Sequence, residues 1–215
     1  MPDLTWLNQV AAFAAICVAA YGIDSWRREH TGKRRIELCE DALTLFYEAK
    51  EVIQWVRSPM SSSDETAEVE RQDQETEETF EARKQAFIVF KRFRDHKDLF
   101  SKIHAMRYRF MAQLGKEKAK PFDDLWGVQN DIKLAARMLS HLWAHRYHRT
   151  EAQYEATQKQ IVEHECVFWQ GVAEAHNRPD VVAEKLDKAV ADLEFTCNAV
   201  IAGAGTMGGF LNRKL

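Results

Sequence analysis

The sequence predicts an all-α protein: an N-terminal single transmembrane helix followed by a cytoplasmic helical bundle or long antiparallel coiled-coil hairpins. Three observations carry this expectation. Val10 to Ile23 are fourteen consecutive residues without a charge or an amide. Apolar residues recur at three- and four-residue spacing through most of the remaining chain, which is the helical period. Nine glycines and four prolines in 215 residues are too few for the many turns of a β-sandwich or barrel, and no stretch sustains period-two alternation.

The first element is residues 4–26. Leu4 to Ile23 is long enough, as a helix, to cross the roughly 30 Å hydrocarbon layer of a bilayer. Trp6 and Trp26 bracket the run with Tyr21 just inside, where amphipathic rings favour the headgroup zones. Arg27, Arg28, Lys33, Arg34 and Arg35 follow at once, against one acid, Glu29. This basic juxtamembrane segment, 27–35, places residues 1–3 outside and everything after residue 26 in the cytoplasm, so the expected location is the plasma (inner) membrane. A cleaved signal peptide fits less well because Met1 to Gln9 holds no basic residue, although Val18-x-Ala20 resembles a cleavage site. A peripheral helix needs a polar face that residues 10–23 lack. A core helix remains the other reading of so alanine-rich a run. Ala11, Ala15 and Ala19 share one face and form a candidate helix–helix seam.

The expected cytoplasmic helical domain covers 36–202. Ile36, Cys39, Leu43, Phe46, Ile53 and Val56 lie near a seven-residue repeat, with Lys50 where an apolar residue is wanted and Gly32 as a candidate hinge. Residues 58–79 read as an acidic linker: Asp64 to Glu81 holds nine acids against Arg71, the composition of a solvated segment. Charge then inverts, with twelve Lys and Arg between residues 83 and 120, so the acids could pair with these cations within the chain or on a partner. Phe80, Phe87, Phe90, Leu99, Ile103, Phe110 and Leu114 supply the apolar face there. After Pro121, Leu125, Val128, Ile132, Ala135, Leu139 and Leu142 form a 3-4-3-4-3 stripe. Thr150 with Gln153 three residues on has the form of a capping box, continued by Tyr154, Ile161, Phe168 and Val172. The last helix begins at Pro179 and carries Val182, Leu186, Ala189, Leu193, Cys197 and Val200. Residues 203–215 form a Gly-rich flexible tail with four of the nine glycines.

No catalytic constellation emerges, and no cofactor is expected. Gly203-Ala-Gly205-Thr-Met-Gly208 matches GxGxxG, but a helix precedes it and seven residues follow, so no βαβ unit can form around it. Phe195 to Leu211 is uncharged, yet as a second span it would put Arg213 and Lys214 on the wrong side. Four cysteines without a CxxC pair argue against a disulfide scaffold or zinc ribbon. The best metal candidate is His141, His145 and His148, which share a helical face. Arg137, Arg146 and Arg149 beside them favour a solvated basic stripe instead.

The functional expectation is therefore a membrane-anchored interaction or scaffold protein whose partners are the lipid bilayer and itself or another helical protein. Two alternatives stand beside it: a metal-responsive membrane protein using the His stripe, and an anionic-lipid surface effector using the basic residues at 27–35 and 83–120. A net charge of −3 gives no general argument for nucleic acid. No small-molecule substrate is inferred.

Overall fold

The computed structural model describes residues 5–144 and 150–204, with side chains described for 10–144 and 150–203. Every regular element among these residues is helical: α1 (Thr5–Val56), α2 (Glu77–Asp95), α3 (Lys97–Leu114), α4 (Lys120–Ala144), α5 (Glu151–Phe168), α6 (Val172–Ala175) and α7 (Val181–Ala204). Short 3-10 turns occupy Ser63–Thr66 and Lys116–Ala119. Contacts divide the chain into two compact units, one of residues 1–41 with 197–215, the other of residues 42–196.

In the first unit the α1 backbone stays helical through Gly32, so that residue is not a hinge. Leu38 and Cys39 are buried, and the Cys197 thiol lies 3.8 Å from the Cys39 carbonyl oxygen. From Val10 to Thr31 every residue is exposed.

The second unit holds the main core. Within α1, Ala42, Phe46, Ala49, Ile53 and Val56 are buried. Ala49 takes the inward place that the heptad assigned to position 50, and Lys50 instead pairs with Asp187 of α7 at 2.6 Å. Tyr47 donates to Glu194 at 2.7 Å, a second α1–α7 tie. The aromatic centre joins α1, α3 and α4, with Phe122 edge-on to Phe46 at 4.9 Å and tilted against Phe110 at 5.3 Å.

α4 packs chiefly on α2 and α5. Leu125, Val128, Ile132, Ala135 and Leu139 are all buried, as the stripe predicts. At the end of the helix Trp143 replaces Leu142 as the inward residue: its ring meets Phe168 at 5.5 Å and its indole N–H donates to Glu165.

The segment expected to run helically after Phe80 begins at Glu77 and breaks at His96 into α2 and α3. Thr76 caps α2 by accepting from the Thr79 N–H. Ala82, Ala86, Ile88, Val89 and Phe93 form its buried face, while Phe80, Phe87 and Phe90 are only half-buried. Cations cover those three rings: Arg83 and Lys84 over Phe80, Arg94 over Phe87 and Arg137 over Phe90. Charged heads over the ring faces let these phenylalanines remain part-exposed.

Thr150 is the N-cap of α5, as expected, but its side chain makes no capping hydrogen bond, so the box does not close. Ile161 and Phe168 are buried and Tyr154 is exposed. The helix stops before Gly171, whose φ of 86° belongs to the left-handed region that glycine tolerates, so Val172 starts α6 instead of prolonging α5. In α7, Val182, Leu186, Ala189, Leu193 and Cys197 are buried in the predicted order.

The acidic segment has no buried residue, as a solvated run should, and is nevertheless fastened to the helix that follows. Ser62 and Glu65 form a reciprocal capping box around the first 3-10 turn. Five ion pairs tie the segment down, Glu65 to Arg92, Glu68 to Arg94 and to Lys91, Glu75 to Arg83 and Arg71 to Glu77. It is an ordered strap laid over α2. Its acids meet the cations of the next segment within the same chain.

Candidate functional site: an exposed apolar helix and its basic collar

The N-terminal part of α1 is the strongest functional feature. Phe13, Ile16, Val18 and Ile23 are each about two-thirds or more exposed, at 70, 66, 72 and 67 %. A soluble monomer rarely shows so continuous an apolar surface. This is the one helix among the described residues long and apolar enough to cross a membrane.

Most of the anchor residues chosen from sequence lie on this surface. Tyr21 is 72 % exposed and Trp26 67 %, while the Trp6 side chain lies outside the described residues. The Trp26 ring stacks on His30 at 5.6 Å, one helical turn along. Arg28 pairs with Asp24 at 2.5 Å, so the one acid between the apolar run and the collar is neutralised where it stands. Arg27, Lys33 and Arg34 are exposed and Arg35 is half-buried. Ala11, Ala15 and Ala19 are exposed along one helix face, as four-residue spacing requires.

The histidine stripe is only partly visible. His141 is exposed on α4, and His145 and His148 lie outside the described residues. Among the described residues no group of three or more His, Cys, Asp or Glu side chains is placed to hold a metal ion.

Two buried arginines that sequence reasoning did not single out organise the second unit. Arg92 is 1 % exposed. It forms a two-pronged ion pair with Glu65 at 2.6 and 2.9 Å and donates to the carbonyls of Trp55, Val56, Ser58 and Met60. Its guanidinium also lies 4.8 Å from the centre of the Trp55 ring. Arg57, 3 % exposed, pairs with Asp180 at 2.8 Å and donates to the carbonyls of Cys166, Val167 and Trp169. Asp180 in turn accepts from the N–H groups of Val182 and Ala183, both at 3.0 Å, and so caps α7. These are positioning devices: each fork collects carbonyls that a chain leaving α1 or α5 would otherwise expose. Arg92 could have been flagged from its place between Phe90 and Phe93, inside an apolar face.

Half of the charge in the basic stretch, six of its twelve cations, is matched within the described residues. Arg83, Lys84, Lys91, Arg92, Arg94 and Arg107 all have carboxylate partners in the chain. Arg92 holds the Glu65 carboxyl below the usual carboxylate range. Arg83, helped by the Gln72 N–H, holds that of Glu75 down at about 2.

Comparison with protein-family models, with characterised proteins and with solved structures returns no match.

Proposed function

We propose that the protein is a membrane-anchored helical interaction protein: residues 4–26 span the bilayer once, and the helical domain acts by binding other proteins. The observation that carries the reading is the uninterrupted exposure of residues 10–31 along α1. Left in water, that surface forfeits roughly 25 cal/mol for every Å² of apolar area that lipid would cover. The basic collar supports a cytoplasmic placement of the helical domain and attraction to anionic headgroups, up to about 1 kcal/mol per cation near the surface. Six of the twelve cations between residues 83 and 120 are already matched to carboxylates, which leaves the stretch less charge for headgroups and favours this reading over a lipid-surface effector. Self-association through Ala11, Ala15 and Ala19 is part of the proposal.

Alkaline carbonate extraction of membranes carrying the full chain tests it. The protein is expected in the pellet, and a variant with Phe13, Ile16 and Val18 all changed to Asp is expected in the supernatant. Release of the unaltered chain would contradict the anchor.

A further inference from the structure

A groove of about 230 Å³ opens between α3 and α4 in the second unit. Phe100, Ile103, Phe122, Leu125 and Trp126 give it apolar walls, beside the polar His104, Arg107, Asp123 and Gln129. An apolar cavity of roughly 150 Å³ is enough to take one benzene ring, so this space admits a flat molecule of one or two rings. Trp126 is 62 % exposed, which leaves an indole at the mouth available for stacking.

Gln129 makes the groove more than an apolar dent. The residue is 6 % exposed, lines the groove, and its carboxamide hydrogen-bonds to no other described residue. A carboxamide with no partner in the chain has both its donor and its acceptor free for a ligand. The only fully enclosed side-chain N or O atom without a partner among the described residues is Nε2 of Gln158. The Gln129 amide is therefore not sealed off, and Gln129 is one of the residues that line the groove.

Charge at the rim is already balanced. Arg107 grips Asp123 with two contacts, Nε to Oδ1 at 2.7 Å and Nη2 to Oδ2 at 3.2 Å. His104 is edge-on to Tyr108, with ring centres 5.2 Å apart. A neutral occupant suits such a rim better than an ion.

We propose that this groove binds a neutral, planar aromatic heterocycle of one or two rings that carries a ring amide. The ring N–H donates to Oε1 of Gln129, the ring carbonyl accepts from Nε2, and the ring system packs against Phe122 and Trp126. A ring amide presents donor and acceptor side by side, the complement of a primary carboxamide. Binding in this groove does not depend on the membrane reading.

Equilibrium dialysis of the full chain in lipid nanodiscs, with empty nanodiscs as the partition control, tests the groove using isoquinolin-1(2H)-one and naphthalene. The two probes share a shape and differ in the amide. The expected result is saturable binding of the isoquinolinone above the control, weakened at least tenfold by Gln129→Leu, with naphthalene unaffected by that change. Gln129→Glu, which keeps the shape and removes the Nε2 donor, reads the same contact should the leucine variant fail to fold. Trp126→Ala, at an exposed position, is expected to weaken both probes. No saturable isoquinolinone binding, or equal binding by the parent and both Gln129 variants, would overturn the proposal.

Discussion

Arg92 and Glu65, twenty-seven positions apart, form a two-pronged ion pair that fastens the acidic segment after α1 onto α2. The same guanidinium gathers four carbonyl oxygens from Trp55 to Met60. The end of α1, the strap and α2 thus share one buried cation. Replacing Arg92 with Met leaves Glu65 and those carbonyls without their donor. A loss of about 3–5 kcal/mol is expected in urea unfolding, the range for breaking a buried pair from one side. Arg92→Lys is expected to recover less than half of it, because an ammonium cannot supply the planar fork. Limited proteolysis should show new cleavage within 58–79 in both variants.

The Arg57–Asp180 pair makes a second, separable prediction. Asp180 neutralises Arg57 through Oδ2 and caps α7 through Oδ1. Asp180→Ala removes both roles and strands a buried cation, for an expected loss of about 3–5 kcal/mol. Asp180→Asn keeps the capping oxygen and should cost about half as much. Equal losses from the two variants would mean that the cap contributes nothing.

Acid should loosen the strap in a defined window. The carboxyls of Glu65 and Glu75 sit below their ordinary values when folded. Their stabilising contribution is therefore complete above the unfolded value of about 4.3 and is lost as pH falls through the folded values. For Glu75 the folded value is about 2. A carboxyl-carbon NMR titration is expected to place the Glu75 midpoint near 2, and Arg83→Gln should raise it toward the unfolded value. An unchanged midpoint in the variant would remove Arg83 as the cause.

Thiol labelling gives an independent map. Cys39 and Cys197 are fully buried, and burial pushes both thiols up, which suppresses thiolate. Cys166 is half-buried and Cys17 exposed along the apolar helix. A water-soluble maleimide at pH 7 should leave Cys39 and Cys197 unmodified until the protein is denatured. Cys17 should label readily in detergent-free, lipid-free protein and resist labelling in nanodiscs.

Helix faces with strong, local periodicity were readable from sequence. The α4 stripe from Leu125 to Leu139 and the α7 series from Val182 to Cys197 are buried as the spacing requires. Their signal lies in i, i+3 and i+4 relations that need no knowledge of distant partners. Non-local chemistry was harder to read. The strap depends on pairs such as Glu65 with Arg92, and composition alone assigns such an acidic run to solvent. On α2 the inward face carries Ala82, Ala86, Ile88, Val89 and Phe93, while cations cover the half-exposed rings of Phe80, Phe87 and Phe90 that the sequence offered instead. Gln129 stood unremarked beside Val128 in the stripe, and only the three-dimensional groove gives its amide a use. The apolar stretch read from the sequence, residues 10–23, lies within the exposed part of α1, residues 10–31.

Orientation is the claim on which the functional account turns. Paired C-terminal fusions of the full chain test it directly, one to a reporter fluorescent only in the cytoplasm and one to a phosphatase active only outside it. An N-out anchor with a cytoplasmic helical domain gives a fluorescent, phosphatase-negative, membrane-bound protein. A dark, phosphatase-positive fusion, or fluorescence in the soluble fraction alone, would contradict it.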